Sequence, residues 1–274
     1  MSRPARVPRT RLWLIIPPEP MKTSLKVLFI LCALACPAQA QTRRAPYGLP
    51  AGARVVEERA LELKDGKRRA LVLWMLRPAR YPRGSDEIYT CPEETRGSFY
   101  RGPVRVSLVD AGSGRIVNTL KVVQEYSHGE DEFDLPFRIK AGGHYHVGGT
   151  PAGREGRPTI MWLRDYNGDG RALEFALFDA LACMGLETAL FGYSERQDRV
   201  IQYPVNLQTT GGGKTLTTAL KWADYLFSKE PVAPGRWKYQ IDYRGRGGSL
   251  DSYEVHYNSQ AERFEGSVSY TTEQ

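Results

Sequence analysis

Apolar residues at every second position, in short runs cut off by turn chemistry, constrain this chain's fold more than any other feature. Trp237, Tyr239, Ile241 and Tyr243 share one face of one run, Tyr253, Val255 and Tyr257 of the next, and Val268 and Tyr270 of a third. A period of two sends successive side chains to opposite faces of a strand, and aromatic and β-branched residues fit that pleated surface. Earlier segments follow the same rhythm. Leu61-Glu62-Leu63 stops at Lys64-Asp65-Gly66-Lys67 and resumes over Ala70–Leu76, while Val104–Val109 stops at Asp110-Ala111-Gly112-Ser113-Gly114 and resumes over Arg115–Val123. Both read as hairpins.

Thr159–Leu163, Leu173–Phe178, Leu186–Tyr193 and Arg199–Val205 read as further strands, with turns at Ala180–Gly185 and Ser194–Asp198; Phe137–Ile139 and His144–Val147 are shorter candidates. A helical reading of Ala172–Met184 stays open, since that stretch is rich in Ala and Leu. Tyr81–Pro103 reads as a loop. Thr215–Phe227 reads as an α-helix, because Leu216, Leu220, Ala223 and Phe227 recur at spacings of four, three and four, and Pro231 and Pro234 stop it. No unit recurs at a fixed period, which argues against a propeller. The expectation is a mainly β, antiparallel, β-sandwich-like fold with one α-helix.

The formal charge of +7 invites a nucleic-acid reading, but residues 1–40 hold five of the seven excess positive charges. The remaining excess is too small for an electrostatic footprint on a phosphate backbone, so no nucleic-acid partner is expected. Met21–Ala40 has the three parts of a secretory signal: Lys22 and Lys26, the apolar run Val27–Cys36, and Ala38-Gln39-Ala40 as a small-x-small cleavage site. The apolar run is ten residues, too short to span a bilayer. Cleavage is expected after Ala40, with a secreted or periplasmic product. Met21 reads as the start and 1–20 as an upstream extension, a long Arg-rich leader being the other reading. Ala33-Leu34-Ala35-Cys36 only loosely resembles a lipobox, since Ala33 stands where a large aliphatic residue belongs. Residues 41–53 read as a flexible segment and 54–274 as one β-rich domain, with a subdivision near 206–214 as an option. Cys91 and Cys183 remain after the signal leaves; a disulfide or two buried thiols are both open.

The sharpest chemical feature is Asp165-Tyr166-Asn167-Gly168-Asp169-Gly170-Arg171-Ala172-Leu173-Glu174. Oxygen side chains at positions one, three and five can turn onto one hard cation, with glycine at six allowing the sharp bend. The Arg171 carbonyl and the Glu174 carboxylate are the next candidate ligands. Over about ten residues this segment resembles the calcium loops of EF-hands, dockerins and FG-GAP/VCBS repeats. The resemblance implies a structural Ca²⁺ on Asp165, Asn167, Asp169, Arg171 and Glu174. It does not extend to the closing ligand, since an EF-hand would need Glu at Ala176 and an FG-GAP loop Asp at Leu173. The flanks read as strands, so the loop is expected to close a β-hairpin. A tight Asn-Gly-Asp-Gly turn wetted by solvent is the competing reading.

Weaker patterns are His144 and His146 on one strand face, which could form a metal site with His128 or His256, and the acidic run Glu130, Asp131, Glu132 and Asp134, which reads as a solvated loop or a distant calcium ligand. Gly211-Gly212-Gly213-Lys214-Thr215 resembles a phosphate loop, but Gln208 stands where the first glycine belongs. No Gly-x-Ser-x-Gly elbow is present. The expected function is an exported calcium-binding module for a glycan or cell-envelope component. An exported polysaccharide hydrolase is the alternative, with no catalytic residues singled out.

Overall fold

A computed structural model describes residues 46–81, 99–125, 131–135, 159–181, 185–211 and 214–272. All fall within the unit Arg43–Gln274. The leader, all four cysteines, His128, His144, His146, Glu130, and the strand candidates at 137–139 and 144–147 lie outside the described residues.

Fifteen strands form three sheets among the described residues. Sheet one holds β1 (Ala53–Ala60), β2 (Arg69–Leu76), β3 (Ala79–Tyr81), β4 (Phe99–Asp110), β5 (Arg115–Lys121) and β6 (Glu132–Leu135). Sheet two holds β7 (Glu174–Leu181), β8 (Gly185–Ser194), β9 (Arg199–Tyr203) and β12 (Ala223–Asp224). Sheet three runs in the order β11 (Lys214–Leu220), β10 (Val205–Gly211), β15 (Arg263–Thr271), β14 (Leu250–Asn258), β13 (Arg236–Asp242). Pairing is antiparallel except between β10 and β15, which run parallel.

Side-chain alternation stacks these sheets as a sandwich with an added layer. Leu71, Leu73 and Met75 of β2 and Val106 and Leu108 of β4 pack with Phe175 of β7 and Phe191 of β8 in a first core. The alternate residues of sheet two, Ala176 and Leu190, face a second core with Val205, Trp237, Tyr253, Val255 and Phe264 of sheet three. Sheet two is therefore the middle layer, and every residue of β8 except Glu187 is buried. A strand covered on both faces reads as a nearly continuous apolar run, and Leu186–Tyr193 has that pattern.

Charged groups tie sheet one to sheet two at their common end. The Arg69 guanidinium donates from Nε to Asp198 Oδ1 (3.1 Å) and from Nη2 to Asp198 Oδ2 (2.8 Å), and its Nη1 reaches Asp110. The Tyr193 hydroxyl donates to the same Asp198 (2.7 Å). Asp110 ends β4 and Asp198 lies in the turn after β8, so one arginine on β2 fastens two hairpins.

The antiparallel sandwich-like expectation holds, but three local expectations are corrected. Among the described residues there is no α-helix. The stretch read as a helix is strand β11, a bend, strand β12 and a 3-10 turn at Leu226–Ser228. Thr215, Thr217 and Thr218 favour extended backbone, and Glu125 accepts the Lys221 and Trp222 amides (2.6 and 2.9 Å), fixing the bend. The helical spacing of four apolar residues arises from segments that end in different places. Thr159–Leu163 is not a strand. Ile160 and Met161 are buried, but their amides donate to Glu57 Oε2 (2.6 and 3.2 Å) rather than to a ladder. The register shift between Val55 and Glu57 in β1 accompanies that contact. Finally, Phe99–Pro103 belongs to β4, which pairs there with β3 and β6.

Candidate metal centre

The bridge between Arg164 and Glu174 closes a nine-residue loop at the start of β7, with Arg164 N–H donating to the Glu174 carbonyl (2.8 Å) and Glu174 N–H to the Arg164 carbonyl (3.3 Å). The expected hairpin is not formed, since no strand precedes the loop: one isolated residue pair holds it at the start of β7.

The loop is curled around its first carboxylate. Asp165 Oδ1 accepts from the amides of Gly168 (2.7 Å) and Asp169 (3.1 Å), and Oδ2 from that of Gly170 (2.9 Å). Asn167 Oδ1 accepts from the Asp169 amide (2.9 Å), and Asp169 Oδ1 from the Arg171 amide (2.9 Å). Each short side chain turns back onto main-chain donors. Gly168 and Gly170 sit at φ +79° and +83°, where a side chain is strained.

The loop is anchored to sheet three on its other side. Tyr166 is buried, stacked on Trp237 (6.4 Å between centroids, 14°) and edge-on to Phe227 (5.8 Å). A Cβ on Gly168 would stand 2.7 Å from the Pro234 carbonyl carbon, and one on Gly235 the same distance from the Asn167 oxygen. Glycine is required on both sides of this backbone contact.

Glu174 is the unusual member. It is 0% exposed, and its carboxylate accepts from Asn167 Nδ2 (2.9 Å) and the Tyr166 amide (3.2 Å). Gly192 of β8 lies opposite it in register, and a Cβ there would meet Glu174 Cγ at 2.7 Å. The missing side chain at Gly192 leaves the room that Glu174 occupies. Burial pushes its carboxyl up to about 8, and the charges of Asp169 and Asp165 push the same way. A buried carboxylate near two others, hydrogen-bonded to a main-chain amide and a side-chain amide that are both neutral, is costly to ionise unless a cation joins it.

Asn167 Nδ2 also approaches Asp169 Oδ2 (3.3 Å), so Asn167 joins Asp169 to Glu174. Asp165, Asn167, Asp169 and Arg171 thus lie in the loop, and Glu174 opens β7 with its carboxylate turned back to Asn167 and Tyr166. Arg171 enters through its side chain: Nη2 donates to Asp169 Oδ2 (2.8 Å) and Nη1 to Glu195. Sequence reasoning assigned Arg171 only a carbonyl and missed this guanidinium, since nothing local signals a partner 24 residues away. Among the described residues no group of three or more His, Cys, Asp or Glu is gathered for a metal as the side chains stand.

The other patterns resolve differently. Among the described residues the acidic run is not a solvated loop: Glu132 and Asp134 belong to β6, Asp134 forms a forked pair with Arg101 (both 2.8 Å), and Asp131 accepts the Gln124 amide (2.7 Å). Lys214 and Thr215 open strand β11, whereas a phosphate loop requires a helix there. His256 is an exposed residue of β14. An acidic row went unnoticed in the sequence: the register sets Glu187 of β8 between Asp179 of β7 and Asp224 of β12. Burial first, then Asp224, Asp179 and Glu125, push Glu187 up to about 7.

A cavity of about 760 Å³ lies on sheet three, lined in part by Arg236, Lys238, Glu254, Arg263 and Glu265. Its carboxylates are paired: Glu254 with Lys238, and Glu265 with Asn258 (3.0 Å) and Arg263 (2.5 Å). Those hydrogen bonds hold Glu265 below the usual carboxylate range.

Comparison with protein-family models gives no match, and comparison with curated proteins and with solved structures gives none either.

Proposed function

We propose that this chain is an exported β-protein whose Asp165–Glu174 loop takes a structural Ca²⁺, and that it serves as a binding or accessory module at the cell envelope. The observation that carries the reading is Glu174, a wholly buried carboxylate directed into the loop that also holds Asp165, Asn167 and Asp169. Two aspartates, one asparagine and one glutamate are the hard oxygen donors that Ca²⁺ prefers. The bound ion would supply the positive charge that lets Glu174 ionise in place. Asp165, Asn167, Asp169 and Glu174 would hold it with the Arg171 carbonyl. Binding requires Asp169 to exchange the Arg171 guanidinium for the ion and Asn167 to present its oxygen rather than its NH₂.

The role is structural on this reading. The loop joins the start of β7 in the middle sheet to the Pro234-Gly235 turn before β13, so an ion there clips two layers. Ligand binding to the native state alone stabilises it by mass action, roughly 2.7 kcal/mol at a hundredfold excess over Kd. Calorimetric titration should give one site, and the melting temperature should rise with Ca²⁺ and fall with chelator. Asp169→Ala should hold the melt at its chelator value in either condition. A wild-type melt indifferent to chelator overturns the calcium reading. Export is tested separately, by N-terminal sequencing of the product released by a secreting host, which should begin at Gln41. The hydrolase alternative gains nothing from the cavity on sheet three, where Glu254 and Glu265 are each paired with a cation and not set up as a proton donor.

A further inference from the structure

The two outer strands of sheet three are built differently. β13 carries Arg236, Lys238 and Asp242 at exposed positions, the charges that keep a free edge from pairing with another chain. β11 lacks such protection: Thr215–Leu220 contains no charge, proline or glycine. Every residue from Lys214 to Ala219 is exposed, and Leu216 is 67% exposed. Among the described residues no strand pairs with the side of β11 away from β10. A β-prone edge of this kind is a template for strand addition.

We propose that β11 pairs antiparallel with β11 of a second copy of this chain, about a two-fold axis at Thr217. This rests on the edge alone and is independent of calcium binding. The segment is self-complementary in that register. Thr217 faces its own copy, Leu216 faces Thr218, Thr215 faces Ala219, and Lys214, the strand's one charge, faces Leu220. No like charges oppose each other, which directly opposed strand positions penalise. Leu216 and Leu220 share a face by alternation, and Leu220 already packs against the second core. Pairing at Thr217 therefore sets Leu216 diagonally beside the second copy's Leu216 and Leu220 and covers the exposed leucine. A one-residue slip would put the leucines of the two copies on opposite faces. The contact is isologous, so it closes as a dimer. Its small size places it among weak, reversible interfaces.

Sedimentation equilibrium of the full chain over a dilution series tests this. The wild type should populate a dimer at high concentration and dissociate on dilution. Thr217→Lys and Thr217→Glu each set like charges on the axis, and each should stay monomeric with an unchanged melting temperature. An equimolar mixture of the two should recover the dimer at least as well as wild type, because opposite charges then meet. A wild type that is monomeric at every concentration overturns the proposal, including the case in which the edge receives a different extended peptide. Thr217→Lys dimerising like wild type, or a mixture that stays monomeric, overturns it as well.

Discussion

Replacing Glu174 by Gln separates the cost of a buried charge from the value of its hydrogen bonds. The carboxyl titrates ordinarily at 4.5 and is pushed up to about 8 in the folded chain by burial, then by Asp169 and Asp165. The folded state therefore binds this proton more tightly than the unfolded state. Stability from Glu174 is fully present below pH 4.5 and is lost as pH rises through about 8. At ~1.4 kcal/mol for each tenfold difference in proton affinity, the loss has a ceiling of roughly 5 kcal/mol. Relaxation of the loop around the ionised group reduces this to about 2–4 kcal/mol. Glutamine carries no charge at any pH. Its oxygen can accept from Asn167 Nδ2 or from the Tyr166 amide, but its NH₂ must face the other donor, at a cost of about 1–2 kcal/mol. In chelator the variant should be less stable than wild type near pH 5 and more stable near pH 8, so the two stability curves cross. Urea denaturation at a series of pH values measures both curves. Parallel curves, or a wild type with level stability over that range, refute the reasoning. With Ca²⁺ in excess the wild-type slope should change sign, because the ion binds the deprotonated carboxylate.

Gly192→Ala sets a Cβ 2.7 Å from Glu174 Cγ and 2.8 Å from the Leu173 carbonyl, and should cost about 1–3 kcal/mol; an unchanged calorimetric melt refutes the crowding. Tyr166→Ala empties the space beside Trp237 and Phe227 and should cost about 3–5 kcal/mol, while Tyr166→Phe keeps the ring and should retain most of the stability. Arg69→Ala leaves Asp198 and Asp110 without their shared guanidinium and should cost about 2–3 kcal/mol, between the values of exposed and buried pairs. Arg69→Lys should recover less than half of that, because an ammonium cannot fork onto Asp198; full recovery in a denaturant titration would refute the forked geometry.

Three strands of sheet three, β13, β14 and β15, were legible because Trp237, Tyr253 and Val255 alternate cleanly with polar neighbours, and the hairpin at Asp110–Gly114 because its turn residues leave few other conformations. What the sequence concealed was set by distant contacts. Ile160 and Met161 look like strand residues because they are apolar and buried, yet Glu57, a hundred residues away, takes their amides. Leu216 looks like part of a helical stripe until Trp222 is drawn into the first core and its amide is held by Glu125. The candidate loop was visible as a spacing of oxygens. The burial of Glu174 was not visible, because it depends on a glycine in the neighbouring strand at a register no local pattern specifies. The guanidinium on Asp169 was hidden for the same reason.

The place of β15 has a consequence for how the chain acquires its fold. Of the described strands β15 comes last in sequence, yet it lies at the centre of sheet three, between β10 and β14. Until that segment has been synthesised, β10 and β14 lack the neighbour that joins them, and Phe264 is missing from the interior beneath. A growing polypeptide can zip its early hairpins as they emerge, but this layer cannot close around a gap in its middle. Its completion must await that segment, and a truncation before Arg263 removes the keystone, not the fringe.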